Sequence, residues 1–429
     1  MLWRGIPMLL RRAGVRQLTA QRGSKLTWAV CILLLFATVL NYLDRQILSL
    51  TAPKLMAEFH LNQQEFGQLL AAFRYSYALV QLLGGWIVDA SGPRIVFPAA
   101  VGVWSAASVL TTFAPRLAAI SACRLLLGTG EAFNWPCALT ATERLLPPSD
   151  RPLANGIFNS GSALGAILAP VIVTILTLKW GWRSPFVLTG ALGAIWVYLW
   201  LRLTRSRASD LGGSKMRPAQ AVAILAGIAR KRNFWLLLTS AVVVNGVSYF
   251  LADWIPLYLQ TERGFSFRVG NALSVLVYAG LDCGSLLTGA LVRVVIRHGV
   301  AAHQARTWSL FASCLLMSCA ALVGFMESRT VALGCIILTA VGVAGFLVIY
   351  LTLVQEVDAL HVGAASGMLG GLGNLCYGLV SPYIGHLADL RETALTFLFV
   401  GLLPWLGFLT ILSVVRARPK TLVQNASLT

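Results

Sequence analysis

Apolar stretches of about 20 residues recur along the whole chain, each long enough to cross a hydrocarbon core of roughly 30 Å. Twelve are legible, near 27–50, 64–88, 95–113, 117–142, 152–178, 184–203, 234–259, 269–292, 307–326, 331–354, 362–387 and 394–415. Within each run Leu, Val, Ala and Gly follow one another without a period-two alternation. The pattern therefore predicts membrane-spanning helices and not barrel strands. Polar residues gather in the short connections, with one long polar interval from Thr204 to Arg232.

That interval divides the spans six and six. The predicted architecture is an all-α polytopic membrane protein, twelve transmembrane helices in two pseudo-symmetric six-helix bundles. Its parts are an N-terminal arm (1–26), a first bundle (27–203), a linker (204–233), a second bundle (234–416) and a C-terminal tail (417–429). In the linker, the stretch Ser206–Lys215 reads as a flexible connector, and 218–228 predicts a short helix lying on the inner leaflet. The halves echo each other: Gly85, Asp89, Gly92 and Arg94 follow span 2, while Gly289, Arg297, His298 and Gly299, then Arg306, follow span 8. Duplicated bundles joined in this way imply alternating access around a midplane site.

Composition narrows the class. Of 429 residues 57% are hydrophobic and only 12% charged, with a mean hydropathy of +0.74. A soluble domain carries about 25% charge, so a water-soluble enzyme is excluded. The net charge of +18 would point to nucleic acid on a soluble protein. Here its location decides otherwise. Twenty-three of the 34 basic residues fall on the side bearing both termini, eight on the opposite side and three inside spans. The positive-inside rule places both termini in the cytoplasm of a cell whose inner (plasma) membrane holds the protein. The excess charge is thereby topological, and no nucleic-acid partner is expected.

The first 26 residues hold six basic and no acidic side chains and read as a cytoplasmic arm. Eight cysteines all lie in spans without a CxxC pair, so they read as packing residues and neither a zinc site nor a disulfide framework is supported. The sequon at Asn425 would be silent on a cytoplasmic tail. No cofactor or metal is expected, and the chain reads as a monomer.

Candidate chemistry lies in seven charges within the spans: Asp44, Arg45, Arg74, Arg124, Glu131, Asp253 and Asp282. Each costs at least ~2.5–3.5 kcal/mol at the bilayer centre, and buried ion pairs stabilise poorly compared with apolar packing. A functional reason is therefore sought, against the plainer reading of a stabilising network between spans 1 and 4. Arg124 and Glu131, seven apart, share a helix face. Asp44 and Arg45 point about 100° apart and should meet different partners. Arg45 is the candidate anchor for a substrate carboxylate, by bidentate hydrogen bonds. Asp44 and Glu131, with Arg124, are the candidate proton-coupling groups.

On span 2, Arg74, Tyr77 and Gln81 share one face. Arg74 reads either as a second anion anchor, suiting a dicarboxylate, or as the partner of an acid. Asn159 and Ser162 on span 5 could bind hydroxyls, while Gly161 and Gly165 read as helix-packing residues. Asn374 is the best polar candidate of the second half. Tyr249 and Asp253, one turn apart on span 7, are placed to close the periplasmic side. Asp282 reads as a structural cap or pair, and His386 as a surface or packing residue.

The segment Gly85–Arg94 is similar to the cytoplasmic loop signature of the major facilitator superfamily, departing from it at Ala90 and Ile95. The resemblance implies a gating role for Gly85, Asp89, Gly92 and Arg94. More narrowly, Asn41-Tyr42-Leu43-Asp44-Arg45 and Arg124-xxx-Gly128-xx-Glu131-Ala132 resemble spans 1 and 4 of its anion:cation symporter family. Asn134-Trp135-Pro136, Gly156–Ser162 and Trp180–Arg183 resemble the hexuronate-transporter branch. The likeness implies sugar-acid symport, with Asp44, Arg45, Arg124 and Glu131 in the roles above and Tyr77 and Gln81 at substrate positions. Arg74 stands where small or apolar residues are usual.

The leading expectation is a proton-coupled symporter of a small organic anion: a hexuronate, aldonate or aldarate. A Na⁺-coupled carboxylate symporter, a sugar-phosphate antiporter and, from another class, a non-transporting sensor are the alternatives. An enzyme is not expected, because the spans carry no catalytic constellation.

Overall fold

A computed structural model describes residues 25–147, 150–213, 218–354 and 362–416. The arm up to residue 24, linker residues 214–217 and the tail with its sequon lie outside the described residues. These comprise α1 (Lys25–Phe59), α2 (Gln63–Ser91), α3 (Pro93–Thr111), α4 (Leu117–Glu131), α5 (Asn134–Leu145), α6 (Arg151–Trp180), α7 (Ser184–Leu203) and α8 (Pro218–Ala229). They continue with α9 (Arg232–Thr261), α10 (Phe267–Arg297), α11 (Ala302–Met317), α12 (Ala320–Val323), α13 (Arg329–Val354), α14 (Val362–Asp389) and α15 (Thr393–Arg416). Nine spans among them are individually long and apolar enough to cross a membrane, with mean hydropathies of 1.4 to 2.6. Helix α2, the α4–α5 pair and α14 complete twelve crossings. We call the face where α1 begins the basic face and its opposite the far face.

Two departures from the sequence pattern matter for the site. The fourth span is not continuous: α4 stops at Glu131 and α5 restarts at Asn134. Pro136 is the cause, since it has no N–H to give to the carbonyl of Ala132 and the ladder cannot pass. The linker also differs from a free connector. Leu211 is fully buried, its carbonyl accepts from the Arg94 amide at 3.4 Å, and Arg144 donates to the carbonyl of Gly212. Gly92 makes this docking feasible, because it closes α2 at φ 82° and a side chain there would strike the linker backbone. Gly299 ends the eighth span at φ 88°, repeating the turn in the second half. The short helix predicted at 218–228 is present as α8, and it packs Ile228 into the core.

The halves meet at the far face. Ile47, Leu50 and Phe66 of the first half share one buried cluster with Leu251, Trp254 and Ile255 of the second. Asn271 on α10 donates to Thr174 on α6 at 3.0 Å and to the Leu50 carbonyl at 3.3 Å. The Asp389 carboxylate at the end of α14 accepts from the amides of Gln63 and Gln64, each at 2.9 Å. Those are orphan donors of the first turn of α2, and the adjacent Asn62–Glu65 capping box satisfies the next. Helices α2 and α14 approach closely because Gly67 has no side chain; a Cβ there would lie 2.6 Å from the Ser381 carbonyl.

The α2–α14 contact continues toward the basic face, where Gly370 and Gly371 pack against Gln81, Ala78 and Leu82. No residue from Ser285 to the end of α10 at Arg297 is buried, and Gly85 and Gly156 have nothing within 4 Å of a notional Cβ.

Candidate functional site

The break after Glu131 begins the site. Ending α4 there frees the Glu131 carbonyl, and Asn41 on α1 takes it with Nδ2 at 3.3 Å. Asn41 lies one turn before Arg45, so its Oδ1 also meets Arg45 Nη2 at 3.3 Å. Arg45 then grips the Glu131 carboxylate with Nε and Nη2, both 3.3 Å from Oε2. Glu131 is wholly buried, whereas the Arg45 side chain keeps 15% of its surface. Its Nη1 has no partner among the described residues. The guanidinium lies over the Tyr77 ring, 4.9 Å from its centroid, and 5.2 Å from that of Tyr42. A planar cation anchored on one edge and open on the other can receive a carboxylate.

Asp44 faces the other way. Ser108 of α3 donates to its Oδ1 at 2.9 Å, and Ser108 and Thr189 of α7 share a hydrogen bond of 3.1 Å. Its Oδ2, the Glu131 Oε1 and two nitrogens of Arg124, Nε and Nη1, are buried with no partner among the described residues. Arg124 thus sits in a protein interior with donors to spare. Unpaired buried charges of both signs in one region leave room for a rearranged pairing, or for a proton or ligand to complete it.

A second cluster joins the halves. Arg74 donates to Asp253 of α9 at 2.9 Å and to the Asn374 side chain of α14 at 3.0 Å. Its guanidinium lies 3.8 Å from the Tyr249 centroid and 5.3 Å from that of Tyr377. Asn374 turns its amide to Gln81 at 3.3 Å, Tyr249 at 3.1 Å and the Gly370 carbonyl at 3.0 Å. Of the two readings of Arg74 at sequence level, this geometry is the acid partner. Phe73 links the clusters, with Arg124, Arg45 and Arg74 at 4.7, 5.4 and 5.5 Å from its ring centroid. Desolvated cation–π contacts contribute about 2 kcal/mol, which helps hold three guanidiniums in one apolar layer.

The other candidates divide. Asn159 is exposed on α6, and Ser162 spends its hydroxyl on the Asn159 carbonyl at 2.7 Å. Gly161 and Gly165 lie against α1, as packing residues. Asp89 is acted on electrostatically by Arg144, and Gly92 and Arg94 meet the linker. Asp282 is half-buried with no hydrogen-bond or ion-pair partner among the described residues, so it is not the structural pair expected. The Trp180–Arg183 motif lies at the far face, where Trp182 and Arg183 clamp Glu58 at 2.5 to 2.9 Å. Sequence reading missed Phe73, Ser108 and Tyr377, and quoted Asn41 only within a motif. The i, i+4 spacing of Asn41 and Arg45 was the one available signal.

The Major Facilitator Superfamily model matches residues 34–375. The chain belongs to that superfamily. Its members are transporters and not enzymes, and the chain is a multi-pass membrane protein. It is 28% identical over 407 residues to the hexuronate transporter of Bacillus subtilis strain 168, covering 90% of this chain and 94% of that one. To the probable galactarate/D-glucarate transporter of Escherichia coli strain K12 it is 26% identical, covering 89% and 93%. Among solved structures, an inward-facing bacterial homologue of the human lysosomal transporter Spinster superposes with a TM-score of 0.70 at 18% identity, covering 93% of this chain and 100% of that one. That likeness shows the fold.

Proposed function

We propose that the protein is a secondary active transporter that carries a small sugar acid (a hexuronate, aldonate or aldarate) together with protons. The observation that carries this reading is Arg45, whose guanidinium grips a buried carboxylate through Nε and Nη2 while 15% of its side chain stays accessible. Arg45 receives the substrate carboxylate, with Tyr77, Gln81 and Asn374 around it and Asn159 and Ser162 along the substrate path. The names of the relatives support a sugar acid as cargo.

Coupling follows from competition for one cation. A substrate carboxylate and Glu131 both want Arg45, and two carboxylates on one guanidinium in a low-dielectric site repel. A proton on Glu131 relieves that repulsion and frees Arg45. Asp44 and Arg124 form the neighbouring store of charge through which the proton is exchanged. The halves 27–203 and 234–416 rock about the linker 204–233, Tyr249 and Asp253 close the far side, and the Gly85–Arg94 loop closes the basic side. The positive-inside rule supports a cytoplasmic basic face and cytoplasmic termini.

The test is Glu131→Gln in proteoliposomes. Labelled glucuronate should no longer accumulate against its gradient when an inward proton gradient is imposed, while exchange against internal glucuronate persists. Uphill uptake by the variant equal to wild type would overturn the coupling assignment.

A further inference from the structure

Three arginines lie at membrane depth, yet they are not equally open. Arg124 and Arg74 are each 2% exposed, whereas Arg45 keeps 15% of its side chain free beside an unpartnered Nη1. Arg74 has both terminal nitrogens engaged: Asp253 holds Nη2 at 2.9 Å, Asn374 holds Nη1 at 3.0 Å and Tyr249 covers its face. It nevertheless belongs to the same layer as Arg45, since both stand within 5.5 Å of the Phe73 centroid. The two guanidinium carbons are therefore at most about 11 Å apart. Without Asp253 they would form a two-cation site of a size suited to a short polyol carrying a carboxylate at each end.

We infer that Asp253 is a specificity-determining residue, which acts as an internal replacement for a second substrate carboxylate. It leaves the site one carboxylate seat, at Arg45, and selects sugar monocarboxylates over aldarates. The inference rests on the proposed sugar-acid function and names the class within it. Two physical effects work together. Both terminal nitrogens of Arg74 are already engaged, so an incoming second carboxylate must displace Asp253 or Asn374 to gain a bidentate partner. It also meets the Asp253 carboxylate in a buried site, where like charges repel strongly. Within the two clusters, apart from Asp282 on α10, Arg45, Arg74 and Arg124 stand against Asp44, Glu131 and Asp253, three cations to three anions. One proton taken up then balances one substrate carboxylate, while a dianion leaves a buried charge uncompensated.

Competition against labelled glucuronate in proteoliposomes tests this, with unlabelled glucuronate and galactarate as competitors. Wild type should prefer glucuronate at least tenfold. Asp253→Asn should narrow that preference by tenfold or more by freeing Arg74, and Asp253→Glu should retain it. Equal competition by the two acids in wild type, or an unchanged ratio in folded Asp253→Asn, overturns the inference. If Asp253→Asn does not fold, the double variant R74Q/D253N, in which neither cation nor anion remains, should keep the wild-type ratio; a collapsed ratio there also overturns it. Thermal-shift titration of purified protein with matched mono- and dicarboxylates distinguishes the two levels. Sugar acids bound without regard to their second carboxylate overturn the role of Asp253 and leave the function standing. Stabilisation by no sugar acid at all overturns both.

Discussion

At position 45 the choice of arginine over lysine has a geometric consequence. The guanidinium reaches Glu131 through Nε and Nη2 together while lying flat over Tyr77. A lysine ammonium is a point charge that can neither fork nor stack in this way. Arg45→Lys should therefore weaken sugar-acid binding at least tenfold, about 1.4 kcal/mol, as read by equilibrium binding to purified protein; an unchanged Kd would remove Arg45 from the substrate seat. The charged members of the site were legible because a charge inside an apolar run has no cheap explanation. Phe73 and Ser108 were not, since an aromatic or a hydroxyl in such a run is ordinary. Only contact with Arg45, Arg74 and Arg124 in one case, and with Asp44 in the other, gives them a role.

At the scale of elements, α2 and α14 are the joint between the halves. The Asp389 carboxylate caps the first turn of α2, where the helix dipole favours a negative charge, and the bond crosses from one half to the other. Asp389→Ala should shift the population toward far-side opening. Spin labels at Arg116 and Glu327, in loops of opposite halves on that face, should then report a longer separation; an unchanged distribution would mean that the cap contributes nothing to closure. Element boundaries were mostly legible, with the sixth span at 184–203 in both sequence and structure. The interruption of the fourth was not: its residues are apolar on both sides, and hydropathy registers composition while Pro136 acts on the hydrogen-bond ladder. Similarly, the Ser206–Lys215 stretch is polar and glycine-rich, and its docking through Leu211 depends on a turn at Gly92 more than a hundred residues earlier.

For the whole molecule, one buried core runs through both halves at the far face. Asn159, exposed on α6, lies on the basic-face side of the contact between Asn271 and Thr174, along the proposed substrate path. In a cysteine-free background, Asn159→Cys should react with a membrane-impermeant thiol reagent added on the side of the termini and resist it from the other. Saturating sugar acid should slow the reaction. Equal labelling from both sides would contradict a substrate path open to one face only.

The sequence by itself determined the class of molecule: twelve crossings, two halves, an orientation bias and a small set of charges that need a reason. Those properties are written in composition and period, which each residue carries wherever it lies. The tertiary structure decided the partners. Arg45 takes Glu131, Arg74 takes Asp253 across the gap between the halves, and Arg124 is left with donors unspent. Pairing of this kind depends on distance and burial between residues as far apart as 74 and 253, which no local pattern encodes. Whether an intramembrane arginine is open to a ligand or already answered from within is settled only when the helices pack.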